Sequence, residues 1–117
     1  MLTLSRADGT SIVIQISEIL DNTNACEMTE AFGAASAAGC KHVILDMSEV
    51  CFISSTGVGC ILAAIGTFRD QGGDIILCSL QDRILHILEI LDLCSYLSIS
   101  SDVAAALEAI RPEQANG

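Results

Sequence analysis

The chain predicts an α/β fold: a single domain built on a mixed, mainly parallel β-sheet with helices packed on it. Three observations carry that prediction. Short apolar runs rich in β-branched residues, at 12–16, 43–45 and 75–77, alternate with stretches of helical apolar spacing. Glycines and hydroxyls punctuate the joins, at Gly39, at Ser54 to Thr56 and at Gly72-Gly73. Strands that alternate with helices need right-handed crossovers, and those make neighbouring strands parallel. At 117 residues there is room for one sizeable core, so residues 1–117 read as one domain.

The elements follow in order. Residues 1–6 form a short first strand, and Asp8-Gly9 is a turn signal leading into a second strand over Ser11 to Ile16, giving a hairpin. A loop from Glu18 to Thr23 carries Asp21. Asn24, with Glu27 three residues on, then reads as a capping box opening a helix whose inner face is Met28, Phe32 and Ala35 and whose end is Gly39. Val43, Ile44 and Leu45 have the continuous apolar character of a strand buried on both faces, and Asp46 is expected to close it.

After a tight connection, Ser54, Ser55 and Thr56 offer hydroxyls where the next helix starts, and Gly57 and Gly59 leave its first turn with little cover. From Val58 to Phe68 the chain is apolar on nearly every side, which predicts close packing along most of the helix with only its beginning free. Gly72-Gly73 breaks the chain before a buried strand over Asp74 to Cys78. Ser79 with Asp82 is expected to cap a helix with Leu80, Ile84, Ile87, Leu88 and Leu91 inward and Arg83, His86 and Glu89 outward. A short strand over Tyr96 to Ile99, a last helix capped by Asp102 or Ser101 and running to Ile110, and a fraying polar tail over 112–117 complete the chain.

Composition removes several function classes. Five basic against fifteen acidic side chains give a formal charge of −10, which opposes nucleic acid and anionic membrane surfaces and favours a protein partner. With one Tyr, three Phe and no Trp there is no stacking platform for bases. No apolar run reaches the roughly 18 residues of a membrane span, and the first residues lack signal-peptide architecture, so a cytoplasmic protein without membrane insertion is expected. The six cysteines sit among apolar residues without any C-x-x-C pair, and are expected to be reduced core residues with no metal role.

Chemistry is equally sparse. Ser55 and Thr56 lie outside any G-x-S-x-G pattern, and neither His42 nor His86 is placed beside them by sequence. Gly57-Val58-Gly59 is too short for a dinucleotide fingerprint, and no Lys follows as a phosphate loop requires. No catalysis and no cofactor are expected. What remains is an accessible helix start that brings free N–H groups, partial positive charge and modifiable hydroxyls together. On sequence physics alone an ordinary hydroxyl N-cap explains these residues first. Asp21, Asp46 and Glu49 would form an acidic rim around this start if the loops converge there, although on physics alone a turn role for Asp21 and a strand-end role for Asp46 come first.

The run ILDMSEVCFISSTGVG, from Ile44 to Gly59, resembles the signature of the STAS domain, in which an apolar strand ending in Asp is followed by an apolar pair and a hydroxyl-rich turn opening a helix. The flanking ISEILD and GGDIILCSLQDRILHILEILDL also fit, so the resemblance spans about residues 11–110. It implies the same mixed-sheet fold. Within the family the chain most resembles the short soluble members, the anti-sigma factor antagonists, also called anti-anti-sigma factors. That resemblance implies phosphorylation at Thr56, with Ser55 the runner-up, by an anti-sigma factor that is a serine/threonine kinase, and reversal by a phosphatase. It implies a partner-binding surface made of Asp21, Asp46, Ser54, Ser55, Thr56, Gly57, Val58 and Gly59, with the unphosphorylated form binding the anti-sigma factor and freeing the sigma factor. Many relatives have Asp where this chain has Ser54, and Ser more often than Thr as acceptor. A nonphosphorylated STAS subunit of a membrane transport system or of a stress-sensing complex is the alternative.

Overall fold

The computed structural model describes residues 2–6 and 10–110, with backbone alone at 2–6, 18 and 22. Its elements are β1 (Leu2–Arg6), β2 (Ser11–Leu20), α1 (Asn22–Ala37), β3 (His42–Ile53), α2 (Ser55–Asp70), β4 (Asp74–Cys78), α3 (Asp82–Ile90), β5 (Ser98–Ser100) and α4 (Val103–Ala109). The strands form one sheet in the order β1-β2-β3-β4-β5. β1 runs antiparallel to β2, and every later neighbour is parallel. The mixed, mainly parallel sheet is therefore as the sequence predicts; the Asp8-Gly9 turn and the 112–117 tail lie outside the described residues.

Both faces of the sheet are covered where β3 pairs with β4, which is why Val43 to Leu45 and Ile75 to Leu77 are apolar without alternation. On one face Val43, Leu45, Ile75 and Leu77 meet Met28 and Phe32 of α1, Ile61, Ile65 and Phe68 of α2, and Ile84 and Leu88 of α3. Phe32 and Phe68 pack edge to face with ring centroids 6.5 Å apart, fixing α1 against α2. On the other face Ile44, Ile76 and Cys78 pack against Ala106 and Ile110 at α4.

Several boundaries differ from expectation. β2 continues to Leu20, and β3 does not close at Asp46 but continues to Ile53. The reason is a pair of register shifts: Gln15 pairs with Asp46 but Ser17 with Glu49, and Glu18 with Val50 but Ile19 with Phe52. Each shift gives β3 an extra residue, so its buried positions Met47, Val50 and Ile53 fall three apart and no longer read as a strand. α1 follows β2 without the expected loop. Its N-cap is Asp21 rather than Asn24; Asn24 instead closes the capping box by accepting the Asp21 N–H at 2.9 Å.

α3 is capped at Gln81 with no side-chain bond, not by Ser79, which turns the chain at φ 59° so that Leu80 precedes the helix. Leu91 is the C-cap and is exposed, rather than facing inward. β5 starts at Ser98, because the Tyr96 carbonyl accepts from Arg69 instead of joining a ladder. α4 has the expected Asp102 cap, with its carboxylate accepting the Ala105 N–H at 2.8 Å. α2 buries only the stripe Gly57, Ile61, Ile65 and Phe68, while Gly59, Ala63 and Thr67 face out. Its small residues let it look apolar all round without being covered all round. The cysteines divide similarly: Cys40 and Cys78 are buried, but Cys26 and Cys51 are exposed rather than core.

Candidate functional site

Beyond Asp46, β2 and β3 carry on together and deliver the chain into α1 and α2 at one end of the sheet. The Ser54 N–H donates to the Leu20 carbonyl at 2.9 Å, so the start of α2 is tied to the last residue of β2. Ser54 is extended (φ −93°, ψ 169°), and its hydroxyl accepts the Gly57 N–H at 3.1 Å while its carbonyl accepts the Val58 N–H at 2.9 Å. A Cβ on Gly57 would stand 2.8 Å from both the Leu20 carbonyl oxygen and Cγ. Glycine at this position is what lets α2 begin directly on top of β2.

The hydroxyl triplet is thereby divided. Ser54 is the cap, whereas Ser55 and Thr56 occupy the first helical positions and are exposed. Thr56 lines an open groove of about 430 Å³ between α1 and α2, together with Ala25, Cys26, Thr29, Glu30 and Cys60. The floor is fixed by the Cys60 thiol, 2.8 Å from the Thr29 hydroxyl and 3.5 Å from the Ala25 carbonyl. Gly59 is exposed and Val58 half-buried against the core. Glu30 and Cys26 were not among the residues the sequence singled out; they lie on α1, and only the packing of α1 on α2 reveals that they share a groove with Thr56.

Asp21 follows Leu20 directly, so its helix and that of Ser54 start from adjacent strand ends. Its carboxylate accepts the Thr23 N–H at 2.9 Å and also the Thr23 hydroxyl. The Thr23 hydroxyl, and after it the Thr23 backbone N–H, hold the Asp21 carboxyl below the usual carboxylate range. Asp21 is therefore a structural cap as well as a candidate contact. Glu49 reaches the same ribbon, exposed and paired in register with Ser17.

Asp46 is elsewhere. It lies eight residues before Ser54 along β3, in register with Gln15 and Cys78. Its carboxylate accepts the Ser48 N–H at 3.0 Å and the Gln15 side-chain amide at 3.5 Å. Burial, helped by the Asp46 charge, pushes the Cys78 thiol up to about 11, so that thiol stays protonated and unreactive. His42 opens β3 at the opposite end of the sheet, and His86 lies on the exposed side of α3, 3.8 Å from Glu89. Neither approaches the hydroxyls. Among the described residues no group of three metal-ligand side chains converges, and no helix is long and apolar enough to cross a membrane.

The architecture is shared with known proteins. The Thermotoga maritima protein described as an anti-sigma factor antagonist superposes with a TM-score of 0.87 at 20% identity, over 94% of each chain. The anti-sigma factor antagonist SpoIIAA in its unphosphorylated form superposes with a TM-score of 0.79 at 17% identity, covering 98% of this chain and 97% of that one. In sequence, BtrV of Bordetella bronchiseptica, which carries the name anti-sigma factor antagonist, is 26% identical over 110 residues, 94% of each chain. The model of the STAS domain matches residues 2–106, and with that match covering nearly the whole length the chain belongs to the STAS domain family.

Proposed function

We propose that the protein is an anti-sigma factor antagonist: a non-enzymatic, cytoplasmic module that, when unphosphorylated, binds an anti-sigma factor kinase and so frees the sigma factor. Phosphorylation at Thr56 ends that binding, and a phosphatase restores it. The observation that carries this reading is the division of labour at the start of α2, where Ser54 supplies the cap and Thr56 is exposed with its hydroxyl free to be modified. Ser55 is the second candidate. The names of the sequence relatives and the resemblance of Ser54 to Gly59 to the family's acceptor turn support it.

The energetics fit a switch that acts on the partner rather than on the fold. A phosphoryl group adds about −1.5 to −2 charge and three acceptor oxygens. At the first turn of α2 it meets unpaired N–H groups and the positive end of the dipole, worth about 0.3–1 kcal/mol in its favour. The domain therefore tolerates it, with Glu30 across the groove as the nearby carboxylate opposing it. A docked partner must desolvate the same charge. Mispaired charge at an interface costs roughly 2–5 kcal/mol, on the order of a hundredfold in affinity.

Asp21 and Glu49 would form the acidic part of the surface, and Asp46 would act by holding Gln15 and the first bulge in place. Calorimetric titration with the purified anti-sigma factor kinase of the same genome tests the proposal. Thr56→Ala is expected to bind as the parent does and Thr56→Glu to bind on the order of a hundredfold more weakly. Equal binding by the two variants would point to a constitutive STAS subunit instead.

A further inference from the structure

Past Asp46 the sheet narrows to two strands. β4 ends with Cys78 opposite Asp46, and β1 begins with Leu2 opposite Ile16, so the pairs from Ser17 with Glu49 to Leu20 with Ile53 have no described strand on either side. One side of this ribbon is core, where Leu20, Val50 and Ile53 are buried. On the other side no helix among the described residues packs, because α4 lies further down, on Ile44, Ile76 and Cys78. The second register shift brings Ile19 and Phe52 opposite one another, and they are 40% and 51% exposed. Partners in register on parallel strands project to the same side, so two large apolar side chains stand together in water. The ribbon then runs through Ile53 into Ser54, Ser55 and Thr56.

We propose that Ile19 and Phe52 are the apolar anchor by which the anti-sigma factor partner docks, seated in an apolar pocket that the partner rims with Lys or Arg side chains. The inference rests on the function proposed above. It goes beyond it in assigning contact to a sheet face rather than to the hydroxyl turn. Two observations choose this occupant. The patch joins the Thr56 turn along the chain, with Ile53 alone between Phe52 and Ser54, so both fit under a standard interface of about 800 Å² per partner. Its surroundings are acidic, with Glu49 on the ribbon and Asp21 at its end, on a chain of formal charge −10. A second copy would bring like charges face to face, whereas a basic rim complements them. An aromatic side chain seated in a desolvated pocket and ringed by polar contacts is the usual form of a binding hot spot.

The test is calorimetric titration of the purified kinase with Phe52→Ser, Ile19→Ser and Thr56→Glu, with Ile90→Ser as the control because Ile90 is 69% exposed on α3. Thermal melting of each variant accompanies it. The expected result is at least about tenfold weaker binding by Phe52→Ser, a smaller loss for Ile19→Ser and none for Ile90→Ser, at unchanged melting temperature. Raising NaCl should weaken the parent complex, as a charged rim requires. If Phe52→Ser and Ile19→Ser bind like the parent while Thr56→Glu does not, the anchor is overturned and the function stands. If the parent does not bind the kinase, both fall. A parent that dimerises by sedimentation, and becomes monomeric with Phe52→Ser, would show a second copy on this face and overturn the proposal as well.

Discussion

At the carboxyl end of α2 the Arg69 side chain is engaged several times over, while at the amino end of the same helix Ser55 and Thr56 stand in solvent. Arg69 donates to the Asp74 carboxylate at 3.0 Å and to the Tyr96 carbonyl at 2.8 Å, with its guanidinium 4.6 Å from the Tyr96 ring centroid. Ser98 adds a bond to the other Asp74 oxygen at 2.5 Å. The chain leaving this end is held as tightly: the Gly73 N–H donates to the Phe68 carbonyl at 2.8 Å, and that of Asp74 to the Lys41 carbonyl at 3.0 Å. At the amino end the first residues are tied through backbone bonds and the Ser54 hydroxyl. The contrast separates stability from recognition along one helix, because groups already paired within the domain have little left to offer a partner.

The comparison can be broken by substitution. The largest effect is expected at the closed end, from Gly73→Ala, since a Cβ there would stand 1.6 Å from the Lys41 carbonyl oxygen. β3 and β4 would have to part, with a loss of about 3 kcal/mol or more in urea unfolding. Arg69→Ala comes next. It leaves the Asp74 carboxylate and the Tyr96 carbonyl short of a donor and should cost about 1–2 kcal/mol, with partner affinity of the folded protein unchanged. At the open end Ser54→Ala should cost about 1 kcal/mol as the loss of a cap, and Thr56→Ala within about 0.5 kcal/mol. Equal destabilisation by those two would mean that Thr56 shares the capping role.

A pH series sharpens the same contrast at Asp21. Its folded value lies below the ordinary carboxylate value, so the stability it contributes is fully present above the unfolded value and fades as pH falls through the lowered folded one. The melting-temperature gap between the parent and Asp21→Ala should therefore hold from neutral pH down to about pH 4.5 and close at more acid pH. A gap that stayed constant through that range would show that the Asp21 charge has no part in the cap.

What could be read from the sequence follows from which patterns are local. The buried strands at 43–45 and 75–77, the Asp102 cap and the Ser54 to Thr56 helix start were legible because each depends on its own few residues. The second half of β3 was not, because the shifts that space Met47, Val50 and Ile53 three apart come from its pairing with β2. The same pairing sets Phe52 beside Ile19, so an exposed apolar pair was invisible as a pair. Asp46 shows the converse error. It looked like the end of a strand because a carboxylate follows an apolar run, yet it pairs in register with Gln15 and Cys78 and the strand runs on past it.

The central claim is that a charge on Thr56 decides partner binding without unfolding the domain. Its most direct measurement is incubation with the purified kinase and ATP, mass spectrometric mapping of the phosphate, and titration of the separated phosphorylated and unphosphorylated forms against the kinase, with melting curves for both. One phosphate on Thr56, none on Thr56→Ala, nearly equal melting temperatures and on the order of a hundredfold weaker binding by the phosphorylated form are predicted. No phosphate on the α2 turn, or a phosphorylated form that binds as the unphosphorylated one does, would contradict the account.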